Sequence, residues 1–183
     1  MKFAKILISL VFAFAVMSGC MGGEGFEPQT NRSLGMRAFR DSDFNAAINH
    51  LNRAMEETPY DVGIIFPLAI AYGITGNEDR EFELFQRSVE VDPEFYPGFY
   101  HMALVYSERG YTQRALEVFT RVIELNPEHD NAHYAIGLIH EAHSPRTALT
   151  FFQRAAELGN RPATAKVQEL ESRLGINTMQ ASS

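Results

Sequence analysis

Proline stands at Pro59, Pro93 and Pro127, 34 residues apart each time. Other columns keep the same period: Leu34, Leu68, Met102 and Ile136 form one, and Gly35, Ala69, Ala103 and Gly137 the next. A third holds Ser42, Gly76, Gly110 and Ser144. The second half of each unit supplies Leu51, Phe85 and Phe119, then Ala54, Ser88 and Val122. The fourth unit is one residue shorter, so Phe152 and Ala155 follow their counterparts by 33. A fixed period of this length constrains the fold more than composition does. It requires one small structural unit, repeated, whose apolar face is covered by its neighbours.

Within a unit the apolar spacing is helical. Phe99, Met102, Ala103 and Tyr106 fall on one helix, Ala115 and Phe119 on a second, with Gly110 between them and Pro127 after. Small residues such as Ala103 and Ala115 let two backbones approach, and large rings fill the space beside them. Gly110 suits a turn that needs positive φ, and Pro127 cannot continue a helix. Ser144-Pro145 reads as an N-cap with proline in the first turn, and Gly159 as a stop. These residues resemble the tetratricopeptide repeat (TPR), a helix–turn–helix unit. The resemblance implies an all-α, right-handed superhelical solenoid of about four repeats over 31–159. A capping helix and frayed tail follow over 160–183, with Ala163, Val167, Leu170 and Leu174 as the stripe of that helix.

Two residues break the pattern in the second unit. Glu81 stands where the first and third units have Ala47 and Ala115, and so demands a shift or a partner. Pro67 lies inside a first helix and is expected to kink it. Either the unit is degenerate and tolerated by its neighbours, or it bends near a binding site.

Residues 1–19 read as a targeting segment: Lys2 and Lys5, then an apolar run from Ile6 to Met17, then Ser18 and Gly19. The run is shorter than the roughly 18 residues a spanning helix requires. Met17-Ser18-Gly19-Cys20 resembles the bacterial lipobox, with methionine in place of the usual leucine. That resemblance implies that Cys20, the sole cysteine, carries lipid and tethers the chain through 20–30. Met21 is not aspartate, which in that family implies the outer membrane, facing the periplasm.

In TPR arrays the first helices line the inner surface. The resemblance therefore assigns a protein- or peptide-binding groove to Arg32, Phe66, Tyr100 and Tyr134, then Met36, Ile70, Leu104 and Leu138. Phe39, Arg40, Ile74 and Glu108 lie alongside. Three large rings at one register beside an aliphatic ladder suit an amphipathic helix or an extended peptide, with a partly basic end. The competing expectation is that these rings pack on the array's own helices. The lysine/asparagine clamp of chaperone-binding TPR domains is not matched.

A formal charge of −7 argues against broad binding to nucleic acid. No phosphate loop, dinucleotide fingerprint or nucleophile elbow is present, so no enzyme and no cofactor are expected. Three late histidines, His133, His140 and His143, are spaced to share a helix face and raise a metal-dependent alternative. However, His133 and His140 occupy the columns of Phe99 and Tyr106, where rings pack. The chain as a whole resembles TPR lipoproteins that assist pilus assembly or envelope biogenesis. Regulation of peptidoglycan hydrolases or envelope proteases is the alternative role.

Overall fold

The computed structural model describes residues 29–176. The targeting segment, Cys20, most of the tether and the tail beyond Ile176 lie outside the described residues. Among those described, nine helices follow one another without strands. They are α1 (Asn31–Arg40), α2 (Phe44–Glu57), α3 (Val62–Ile74), α4 (Glu78–Val91), α5 (Tyr96–Glu108), α6 (Thr112–Leu125), α7 (Asp130–His140), α8 (Pro145–Glu157) and α9 (Arg161–Leu174). Each odd helix packs on the even helix after it, and each even helix on the next odd one. This is the expected all-α solenoid of helical hairpins, ending in a single capping helix.

The repeat columns explain the hairpins. Leu51, Phe85, Phe119 and Phe152 are buried on the even helices. Opposite them stand Gly35, Ala69, Ala103 and Gly137. A methyl group on Gly35 would come within 2.7 Å of the Leu51 side chain, and one on Gly137 within 2.6 Å of the Phe152 ring. Truncating such a phenylalanine to alanine costs about 3–5 kcal/mol, since the rigid hairpin cannot close over the void.

The turns obey the spacing with one instructive exception. Ser42, Gly76 and Gly110 all have positive φ, at 61°, 84° and 78°. Their backbones close the preceding helix with a paired set of hydrogen bonds, such as Gly110 N to Ser107 O and Tyr111 N to Tyr106 O. The fourth turn is shorter and Ser144 takes φ −144° as the N-cap of α8, with proline following. Its hydroxyl makes no capping bond, unlike the Asp43 and Asn77 side chains that cap α2 and α4. Gly159 and Gly175 take the left-handed conformation where α8 and α9 end.

α3 runs through the buried Pro67 as one helix from Val62 to Ile74. The last helix is tied to the array by polar contacts. Asn160 is buried; its side-chain amide donates to Asp130 (3.1 Å) and Asn131 (3.0 Å), while its oxygen accepts from Ala163 N. Lys166 bridges to Glu141, the residue that closes α7, at 2.9 Å and to Glu169 at 3.2 Å. No described helix is long and apolar enough to cross a membrane.

Candidate functional site: the face of the odd-numbered helices

The odd helices bury one side against the even ones and turn the other outward. Phe66, Tyr100 and Tyr134 sit at the boundary. All three are half-buried, and each ring meets the phenylalanine of its own hairpin: Phe66 with Phe85 at 5.8 Å, Tyr100 with Phe119 at 5.9 Å, Tyr134 with Phe152 at 5.5 Å. Three equivalent contacts at one register follow from the repeat itself. Phe66 also meets Phe95 edge-on at 5.1 Å and His101 at 5.3 Å. Tyr100 lies against His129 at 4.5 Å. These rings therefore wall the face and also join successive repeats.

The aliphatic column beside them is more open. Ile70 and Leu104 are half-buried, while Leu138 is 43% exposed and Ile74 56% exposed. Among the described residues the other exposed large apolar side chains are Tyr60 and Tyr111 in turns, Tyr96 at the start of α5, and Ile176 beyond α9. Within helix bodies, exposed large apolar groups thus occur on the odd-helix face.

The expected basic end is partly neutralised. Arg32 pairs with Asp61 at 3.1 Å, whereas Arg40 is exposed at the end of α1. Met36 and Phe39 are half-buried against the first core cluster, and Phe39 meets Phe44 edge-on at 5.7 Å. At the far end Glu141 is held by Lys166 and, at 3.7 Å, by Arg173.

The second repeat accommodates Glu81 through a residue the sequence did not single out. Gly73 on α3 faces it, and a side chain at Gly73 would require the Glu81 carboxylate to move from its present place. The equivalent positions hold Phe39, Ser107 and Glu141, so the glycine opposite the glutamate was the available signal. Burial, with Glu108 and Glu78 nearby, pushes the Glu81 carboxyl above its ordinary value despite Arg109. Arg109 itself bonds Asp79 and the Glu78 carbonyl, both at 3.3 Å, and lies 4.9 Å over the Phe82 ring.

Two of the late histidines serve packing, while His143 is exposed in the turn before α8. His133 and His140 both lie against Phe151 of α8, at 6.1 and 6.0 Å. His133 is buried and its Nε2 bonds the Pro127 carbonyl at 3.0 Å, leaving Nδ1 without a partner. Rings lying against a common phenylalanine are spent on the α7–α8 contact, which is the role their columns suggested. His129 caps α7, its Nδ1 accepting from Ala132 N at 3.1 Å. His101, unremarked in the sequence, stacks on Phe85 at 5.0 Å. Burial lowers the proton affinity of both His101 and His129.

Comparison with known proteins agrees with this geometry. Residues 96–129 match the tetratricopeptide repeat model. A crystal structure of MamA protein superposes with a TM-score of 0.69 at 19% identity, over 79% of this chain and 81% of that one. MamA from position 41 onward, from Desulfovibrio magneticus RS-1, gives 0.69 at 18% identity, over 79% and 84%. MamA of AMB-1 gives 0.64 at 24% identity, over 79% and 81%. Likeness at these identities concerns the fold. No curated protein matches the chain in sequence. Residues 96–129 are thus a tetratricopeptide repeat by sequence and the described array has the TPR fold, with the odd helices as the first helices of its hairpins.

Proposed function

We propose that this TPR protein is a non-catalytic scaffold whose first-helix face docks a partner polypeptide. The observation that carries the reading is the placement of Ile74 and Leu138: large apolar side chains left in water on the face that lines the inner surface of TPR arrays. Their exposure means that they contribute little to the fold. Ile74→Asp with Leu138→Asp is therefore expected to leave the melting temperature within about 2 °C and abolish recovery of partners from membrane extract. Equal recovery by the variant and the parent contradicts the reading.

The scaffold is held in the bacterial envelope by lipid on Cys20, facing the periplasm from the outer membrane. Support for this comes from the apolar leader and the lipobox-like Met17–Cys20 sequence. Cys20→Ala is expected to move the protein from the membrane fraction and to remove palmitate labelling; unchanged fractionation contradicts it. The pathway follows from the resemblance to TPR lipoproteins of pilus or secretion-complex assembly, with control of peptidoglycan hydrolases or envelope proteases as the other role. Identification of the recovered partners separates the two.

A further inference from the structure

We propose that the partner is a cationic amphipathic segment whose lysine or arginine is received between Glu81 and Glu108, while its apolar side lies on Ile70, Ile74 and Leu104. This rests on the reading of the first-helix face as a docking surface and specifies its occupant.

The argument begins with a column. Its members are Ala47, Glu81, Ala115 and Ala148, and the three alanines are fully buried at the contact between paired helices. A carboxylate enters this column in the second repeat alone. It fits because Gly73 opposite has no side chain, so the carboxylate fills space that a first-helix side chain would occupy. Gly73 directly precedes the exposed Ile74, which places the charge at the edge of the apolar face.

A partly desolvated carboxylate is costly without a partner. The Glu81 carboxylate has no hydrogen bond or ion pair among the described residues. The adjacent cation, Arg109, is committed to Asp79, to the Glu78 carbonyl and to the Phe82 ring. The remaining charged neighbours of Glu81 are Glu108 and Glu78, which repel it. Elsewhere along the face Arg32 pairs with Asp61, and Glu141 with Lys166 and Arg173, while the exposed Arg40 stands at the end of α1, one repeat away. The middle of the face thus keeps negative charge beside exposed isoleucine. Complementarity requires a cation next to apolar groups, delivered by the partner.

The test uses three 18-residue amphipathic peptides with the same leucine face and a polar face of lysine, glutamine or glutamate. Affinities for the protein are read by fluorescence anisotropy. The lysine peptide is expected to bind at least about tenfold more tightly than the glutamine peptide. Glu81→Gln with Glu108→Gln removes that preference, whereas Glu90→Gln with Glu128→Gln keeps it. Equal binding of lysine and glutamine peptides overturns the charge assignment while leaving the docking face standing. A preference that survives Glu81→Gln with Glu108→Gln reflects the protein's general acidity and also overturns the assignment. Failure of all three peptides to bind contradicts the docking reading itself. Circular dichroism melts of each variant show whether the fold is retained.

Discussion

The second and third repeats share a backbone plan yet solve the same contact differently. In the third, Ala115 lies fully buried and Ser107 holds the position of Gly73, and this is the unit that matches the family model. In the second, Glu81 faces Gly73 and a proline sits within the first helix. Both form two helices joined through a glycine of positive φ. Backbone geometry is therefore set by the shared columns, such as Phe85 and Phe119, and by the turn. The helix-contact column is free to vary once its opposing residue varies with it. A residue that departs from a repeat pattern is best judged against the one it faces.

The comparison is broken most severely by moving the second repeat's solution into the third. Ala115→Glu without a glycine opposite buries a charge in a closed contact, and is expected to cost several kcal/mol, about 3 or more, in denaturant melts. Ala115→Leu, which adds bulk without charge, is expected to cost about 1–3 kcal/mol. A melting temperature unchanged by Ala115→Leu contradicts the assigned register.

The second repeat and the junction of the third with the fourth also diverge in their response to acid. His129 caps α7 through a neutral Nδ1 and lies on Tyr100, and burial depresses its proton affinity below the ordinary 6.5. A depressed value means that the folded state favours the neutral ring. Its contribution is complete above pH 6.5 and is lost as pH falls through the folded value. His129→Asn retains a capping oxygen and is expected to reduce the acid-induced loss of stability, read from denaturant melts at pH 7 and pH 5. Glu81 runs the other way. Its value is raised above the ordinary 4.5, so ionisation destabilises the fold and acidification relieves the cost. Glu81→Ala is expected to raise stability slightly at pH 7, solvent screening keeping the gain small, with the gain shrinking towards pH 4.5. A variant less stable than the parent at pH 7 contradicts the claim that this carboxylate is uncompensated.

Much of the fold was legible because 34-residue periodicity reports on columns that touch. Phe85, Phe119 and Phe152 could be placed in the core without coordinates, as could the turn glycines and the packing roles of His133 and His140. The candidate face was only partly legible. Sequence columns locate Phe66, Tyr100 and Tyr134 on the first helices, but their sharing of the core phenylalanines depends on ring direction. The pairing of Arg32 with Asp61 crosses from one hairpin to the next, as does the contact of Tyr100 with His129. Contacts between different columns leave no periodic trace, which is why Gly73 and His101 escaped notice.

The claim that the first-helix face docks a polypeptide is tested most directly by site-specific photocrosslinking in intact cells. A photoreactive amino acid is placed at Leu104 on α5 and, as a control, at Glu117 on α6. Adduct mapped to one protein partner from Leu104 and none from Glu117 is the expected result. Adduct from Glu117 alone, or from neither position, contradicts the account.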